Sequence, residues 1–151
     1  MSRYAKTFTV RWADCDANGH MRNTAYSEYG IDVRMAWLTE AGWGFDAMQE
    51  HGFGPVLLRE EIDYLRELKL GEPVKVDLTQ LGLSPDGGRW KLQHELWKEN
   101  GKKAARIVIL GGFMDLTARR LIAPPEPLVR LFTQVEKGET WEELPSLKPR
   151  G

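Results

Sequence analysis

Residues 24–41, "TAYSEYGIDVRMAWLTEA", put apolar and aromatic side chains around most of a helical circumference: Tyr26, Tyr29, Ile31, Val33, Met35, Trp37 and Leu38. A helix lying on a surface shows one apolar stripe, whereas a helix that is apolar on most sides has to be enclosed. The rest of the chain supplies the enclosure. From Pro55 the period becomes that of strands, with Leu58, Ile62 and Tyr64 alternating first. Val74, Val76 and Leu78 come next, then Trp90, Leu92, His94 and Leu96. "AARIVILGGFMDL" (104–116) is almost continuously apolar, as a strand buried on both faces would be. "SPDGG" (84–88) and the Asn-Gly of "ENGK" (99–102) are hairpin turns joining neighbours in this series. An earlier alternating run, residues 6–13, predicts a first strand with Phe8, Val10 and Trp12 on one face.

The order predicts an α+β fold in which a mainly antiparallel sheet wraps around one long central helix. That helix runs from about Thr24 to Ala41, with Asn23 or Thr24 as N-cap and Gly42 and Gly44 as its stop. Residues 43–54 read as irregular with one short helical turn, and 126–135 as a short helix. A polar tail, 136–151, is expected to be ordered in part by Trp141. With no repeat or linker, the 151 residues form one domain, 1–151.

Charge and composition narrow the function. The 21 basic and 22 acidic residues leave a net charge of −1, which argues against a nucleic-acid partner held by electrostatics. No apolar run approaches the roughly 20 residues that span a bilayer, so no membrane association is expected. "MSRYAKTFTV" does not resemble a signal peptide. A single cysteine, Cys15, leaves no internal disulfide. A cytoplasmic protein is the expectation.

Chemistry concentrates in the link between first strand and helix, "DCDANGHMRN" (14–23). Asp14, Cys15, Asp16 and His20 are all zinc-ligand types, but no second His/Cys pair at ligand spacing exists, so no metal is expected. A calcium loop would need a glutamate where Ala25 stands. Cys15 lies between two aspartates and lacks the positive surroundings of a reactive thiol. Strand alternation sets it opposite Trp12, Asp14 and Asp16, in a packing role. An acid/base site has more in its favour, because the link ends where a helix begins. The N–H groups of a helix start carry no intrahelical partner and stabilise a developing oxyanion. Asp16 beside them would attack a carbonyl carbon or activate a water, and Gly19 would permit close approach of the backbone. The same residue types also build ordinary turns and caps, and spacing alone leaves the two readings level.

"DCDANGHMRNTAY" resembles the Asp-x-Asp-x-x-Gly-His-x-x-Asn-x-x-Tyr signature of hotdog-fold thioesterases of the 4-hydroxybenzoyl-CoA thioesterase type. It is also similar to the catalytic segment of plant acyl-ACP thioesterases. "EIDYLRELKLGEPVKV" looks like that family's second strand, turn and third strand, and "NGKKAARIVILGGFMDLTARRLIAPP" like its last hairpin and exit. The resemblance covers most of residues 5–130. It implies a hotdog fold, hydrolysis of an acyl-CoA or acyl-carrier thioester, and a homodimer or homotetramer with sites at the subunit interface. No cofactor is implied beyond the CoA carried by the substrate. Asp16 matches the catalytic carboxylate, and Asn23 the helix start that polarises the thioester carbonyl. Asn18 and His20 match the amide and histidine of the acyl-ACP branch, orienting water or steadying the carboxylate. Gly19, Tyr26 and Glu60 are the candidate substrate-binding residues.

The sequence departs from the family where many relatives have "YLRP", since Glu67 stands at the proline position. The downstream glutamate of the acyl-ACP branch has three candidates here, Glu60, Glu61 and Glu67. A hotdog hydratase is disfavoured because its histidine sits in an "HFP"-like segment, whereas Met-Arg-Asn follows His20. The alternatives are a non-catalytic acyl-CoA binder or sensor and, despite that mismatch, a hotdog acyl-thioester hydratase or dehydratase.

Overall fold

The computed structural model describes residues 3–146. Strand β1 (Tyr4–Thr9) leads through a 3₁₀ turn (Trp12–Asp14) to helix α1 (Asn23–Glu40) and a short helix α2 (Phe45–His51). Four long strands follow: β2 (Phe53–Tyr64), β3 (Pro73–Leu83), β4 (Arg89–Lys98) and β5 (Lys103–Asp115). Then come β6 (Arg120–Ile122), α3 (Glu126–Thr133) and β7 (Lys137–Glu143). The sheet runs β1-β3-β4-β5-β2, antiparallel throughout this path. Two short strands extend it: β6 pairs with the end of β5, and β7 runs parallel to β3 beyond the end of β1. Among the described residues, no helix is long and apolar enough to cross a membrane.

The enclosure predicted for the helix is present. Ala25, Tyr26, Tyr29, Val33, Trp37 and Leu38 of α1 are buried against the inner face of the sheet, where Val74, Val76, Leu78, Leu92, Leu96, Ile107 and Ile109 are almost wholly inaccessible. Phe132 of α3 closes one end, its ring 5.1 Å from Trp37, 5.7 Å from Phe113 and 5.9 Å from Trp90.

Several expectations need correction. The first strand stops at Thr9 rather than 13, because its partner there is Pro73, which has no N–H to continue the ladder. Val10 instead donates to Glu72 O (3.0 Å) and accepts from Gly71 N–H (2.9 Å), and the chain then tightens into the 3₁₀ turn. Alternation therefore fails beyond this point: Trp12 is 74% exposed, Asp14 is buried and Asp16 is exposed. Cys15 still packs against the core, its Sγ donating to Arg11 O at 3.4 Å. The N-cap of α1 is Arg22, not Asn23 or Thr24, and no side chain caps the helix. In β2 the register slips between Leu57 and Arg59, so Leu58 is the extra residue of a bulge. Glu60 and Ile62 keep the inner face opposite Ile109 and Ile107, but Leu58 no longer shares it by simple alternation. Residues 137–143 of the polar tail are a strand, and Trp141 is what ties it down: its indole N–H donates to Gln80 Oε1 at 2.9 Å. Residues 147–151 of that tail lie outside the described residues.

Candidate active site

The link between β1 and α1 is built as a turn laced to the β2–β3 connection. Cys15 pairs with Met21 and His20 with Lys69 in isolated antiparallel bridges. Met21 N–H donates to Leu68 O (2.7 Å), and Leu70 N–H to Gly19 O (3.0 Å). The reversal inside the turn falls at Gly19, whose φ of +76° suits a residue without Cβ. Asp16 N–H donates to His20 O at 2.8 Å, and Gly19 N–H to Asp16 O at 3.1 Å. This leaves the Asp16 carboxylate exposed at the surface of the turn. Its Oδ1 accepts from the N–H groups of Asn18 (2.9 Å) and His20 (3.3 Å). Its Oδ2 carries no hydrogen bond among the described residues.

Asp16, Asn18 and His20 thus belong to one turn, and Asn23 opens the helix seven residues after Asp16. The N–H groups of Asn23 and Thr24 have no acceptor among the described residues, whereas that of Ala25 already donates to Arg22 O at 3.0 Å. Arg22 is diverted elsewhere: its guanidinium donates to Ala13 O and, at 3.0 Å, to Thr24 Oγ1. The turn is also pinned from beneath by Asp14. Its backbone O accepts from Arg22 N–H (2.8 Å), and its carboxylate from Arg11 Nε (3.1 Å), Arg11 Nη2 (2.9 Å) and Tyr29 Oη (2.7 Å). The Arg11 hydrogen bonds, helped by that of Tyr29, hold the Asp14 carboxyl down at about 2. The first aspartate of the motif is therefore a structural anchor, and the second presents its carboxylate to solvent.

Of the three glutamates weighed, Glu67 is the one brought to the turn: its Oε2 lies 3.4 Å from His20 Nε2. Glu60 sits apart on the inner face of β2, four residues and about 13 Å along the strand from Tyr64. Glu61 is on the outer side, paired with Arg59. Tyr26 is buried, its hydroxyl donating to Arg66 O (3.4 Å) and its ring edge-on to Tyr64 at 5.1 Å. Tyr64, half exposed, takes the position at the helix mouth and donates to Asn23 O at 3.3 Å.

Two groups that were not singled out from the sequence lie deeper. Arg34 of α1 donates from Nη1 to His94 Nε2 at 3.1 Å, and His94 donates from Nδ1 to Asp77 O at 2.7 Å. Burial holds His94 neutral, with its pKa pushed down to about 3, and the Arg34 charge acts in the same direction. Burial also lowers Arg34 to about 10, against the attraction of Glu60. The available signal was Gly30, a helix-interior glycine one turn before the arginine. A Cβ there would lie 3.1 Å from the His94 ring and 3.4 Å from Arg34 Nη1.

The model of the family described as the thioesterase-like superfamily matches residues 10–132. An Agrobacterium fabrum protein named L-carnitine dehydrogenase/betainyl-CoA thioesterase is 28% identical over 124 residues, 82% of this chain and 25% of that one. The chain thus spans about a quarter of the length of that curated relative. Among solved structures, a hypothetical protein of Staphylococcus aureus in complex with CoA is 25% identical, with a TM-score of 0.83 over 93% of this chain and 90% of the other. A 1,4-dihydroxy-2-naphthoyl-CoA thioesterase from Synechocystis shares the fold at 18% identity, with a TM-score of 0.79 over 88% of this chain and 97% of the other. The hotdog arrangement expected from the motif is the one observed.

Proposed function

This chain belongs to the thioesterase-like superfamily, and we propose that it hydrolyses the thioester of an acyl-CoA to the free acid and the CoA thiol. One observation carries the proposal: the signature turn presents the Asp16 carboxylate, with Oδ2 unengaged, seven residues ahead of a helix start that no side chain caps. The substrate carbonyl oxygen would rest on the first-turn N–H groups at Asn23, which hold the oxyanion as it forms. In the general-base form, Asp16 takes a proton from water as the water oxygen bonds to the carbonyl carbon. The tetrahedral species then expels the thiolate, the C–S bond breaks, and the proton held by Asp16 passes to sulfur. In the nucleophilic form, an Asp16 oxygen bonds to the carbon, the C–S bond breaks to expel the thiolate, and water then cleaves the anhydride, giving the free acid, the Asp16 carboxylate and the proton taken by the thiolate. Asn18 and His20 flank the attack, and Glu67 orients the His20 ring through Nε2. The CoA found with the Staphylococcus aureus structure and the name of the Agrobacterium fabrum relative support a CoA thioester as the substrate class.

The assembled form in this reading is at least a homodimer. β2 is an edge strand, and Leu57, Leu58, Tyr64 and Leu65 on and beside it are about half exposed, a surface that a second copy of the chain would cover.

The test is release of free thiol from a panel of acyl-CoAs by the wild type and Asp16→Asn. Turnover by the wild type, with a loss of at least about 100-fold in a folded Asp16→Asn, is the expected result. Binding of acyl-CoA without thiol release from either protein would replace hydrolysis by a binding or sensing role.

A further inference from the structure

α1 and β2 run antiparallel from the turn into the interior, and the space between them changes character on the way. Along α1, Asn23, Ser27 and Ile31 recur every four residues, and that face continues into Arg34 and Met35. On the inner face of β2 stand Tyr64, Ile62 and Glu60. Tyr64 meets Asn23 at the near end. At the far end lies a cavity of about 210 Å³ whose walls include Ile31, Met35, Leu57, Trp90 and Phe132. Arg34 is the one charged residue of that lining.

The cavity is otherwise apolar, and Arg34 is the one feature that a plain hydrocarbon tail would not satisfy. Of the five guanidinium N–H donors only the bond to His94 is made, and among the described residues no carboxylate lies within 4.0 Å of Arg34. Burying the free guanidinium donors beneath a methyl-ended chain would leave them unmet, whereas a terminal carboxylate would pair with them. Gly30 keeps the space in which the guanidinium lies.

Resting on the hydrolytic reading above, we propose that the acyl chain of the substrate lies between α1 and β2 and ends in a carboxylate held by Arg34. The substrate class is then the CoA monothioester of a medium-chain dicarboxylic acid. Length follows from the helix. Ile31 lies eight residues beyond Asn23, about 12 Å at 1.5 Å per residue. An extended carbon chain advances about 1.3 Å per bond, so about ten carbons reach the cavity mouth. Glu60 on β2 opposes the incoming carboxylate and attracts Arg34 in the empty site.

The experiment compares kcat/KM for the CoA thioesters of decanedioic and decanoic acids in the wild type, Arg34→Met and Glu60→Gln. The wild type should favour the ω-carboxylate by tenfold or more, Arg34→Met should bring the ratio close to one, and Glu60→Gln should raise it. A wild-type preference for decanoyl-CoA, or an unchanged ratio in a folded Arg34→Met, overturns the proposal while leaving hydrolysis standing. If circular dichroism shows Arg34→Met unfolded, Glu60→Gln decides, and an unchanged ratio there overturns it. Absence of thiol release from every thioester overturns this proposal together with the hydrolytic reading.

Discussion

Tyr29 donates a 2.7 Å hydrogen bond to Oδ2 of Asp14, fifteen residues earlier in the chain. It joins the underside of the signature turn to the second turn of α1, so the segment carrying Asp16 and the helix start that faces it move as one body. Arg11 completes the anchor from the solvent side, donating to both Asp14 oxygens.

Tyr29→Phe removes the hydroxyl and leaves a buried carboxylate oxygen one donor short. The expected cost is about 1–3 kcal/mol in urea unfolding, with kcat falling more than KM rises because the turn loosens. Asp14→Asn tests the charge. The carboxyl is held below its ordinary 3.8, at about 2, so it adds stability that is full above pH 3.8 and is lost as pH falls through 2. The stability gap between wild type and Asp14→Asn should therefore be widest near neutrality and close between pH 4 and 2. A gap of constant size over that range would contradict the anchoring role.

Gly111 and Trp90 approach closely across β4 and β5 on the inner face. They are register partners, and a Cβ on Gly111 would lie 2.1 Å from the indole Cη2. Gly111→Ala must push the indole toward Phe113 and Phe132, whose rings lie 6.0 and 5.9 Å away. Overpacking of this kind costs about 1–3 kcal/mol, so thermal unfolding should drop by about 3–10 °C. The displaced indole would also reshape the adjoining cavity, and affinity for acyl chains should change with it. Unchanged melting would mean the ring has another place to go.

These relationships mark where the sequence was legible. The apolar circumference of α1, the alternating strands and the hairpins at Gly87 and Gly101 were all readable because helix and strand periods are local properties. β7 was hidden because "KGETWEE" has no apolar alternation; it is held by backbone pairing to β3 and by one tryptophan reaching Gln80. The resemblance singled out Asp16, but the anchoring role of Asp14 was invisible for a similar reason. Both look alike in the motif, and only the tertiary contacts of Arg11 and Tyr29 bury one of them. Glu67 could not be separated from Glu60 and Glu61 because the bulge at Leu58 and the bridge between His20 and Lys69 decide which glutamate meets the histidine.

His94 supplies the pH dependence expected between neutrality and mild acid. Its Nδ1 is committed to Asp77 O at 2.7 Å, and its Nε2 accepts from Arg34 Nη1 at 3.1 Å, so a second proton would face a guanidinium inside the core. Burial first and the Arg34 charge second push its pKa from 6.5 down to about 3, only partly offset by the Asp77 carbonyl. Above pH 6.5 both folded and unfolded chains hold a neutral imidazole, and His94 contributes nothing to the pH slope. Below 6.5 the unfolded chain binds a proton that the folded chain refuses until about 3, so stability falls with acidification by up to about 1.4 kcal/mol per pH unit. At pH 5 the loss from this residue should be about 2 kcal/mol. His94→Gln, which cannot titrate, should be less stable than wild type at pH 7.5, yet its urea-unfolding free energy should stay nearly level from pH 6.5 to 5 while that of the wild type declines. Parallel pH profiles for the two proteins would show that His94 is protonated in the fold and that the tautomer set by Asp77 and Arg34 is not the one present.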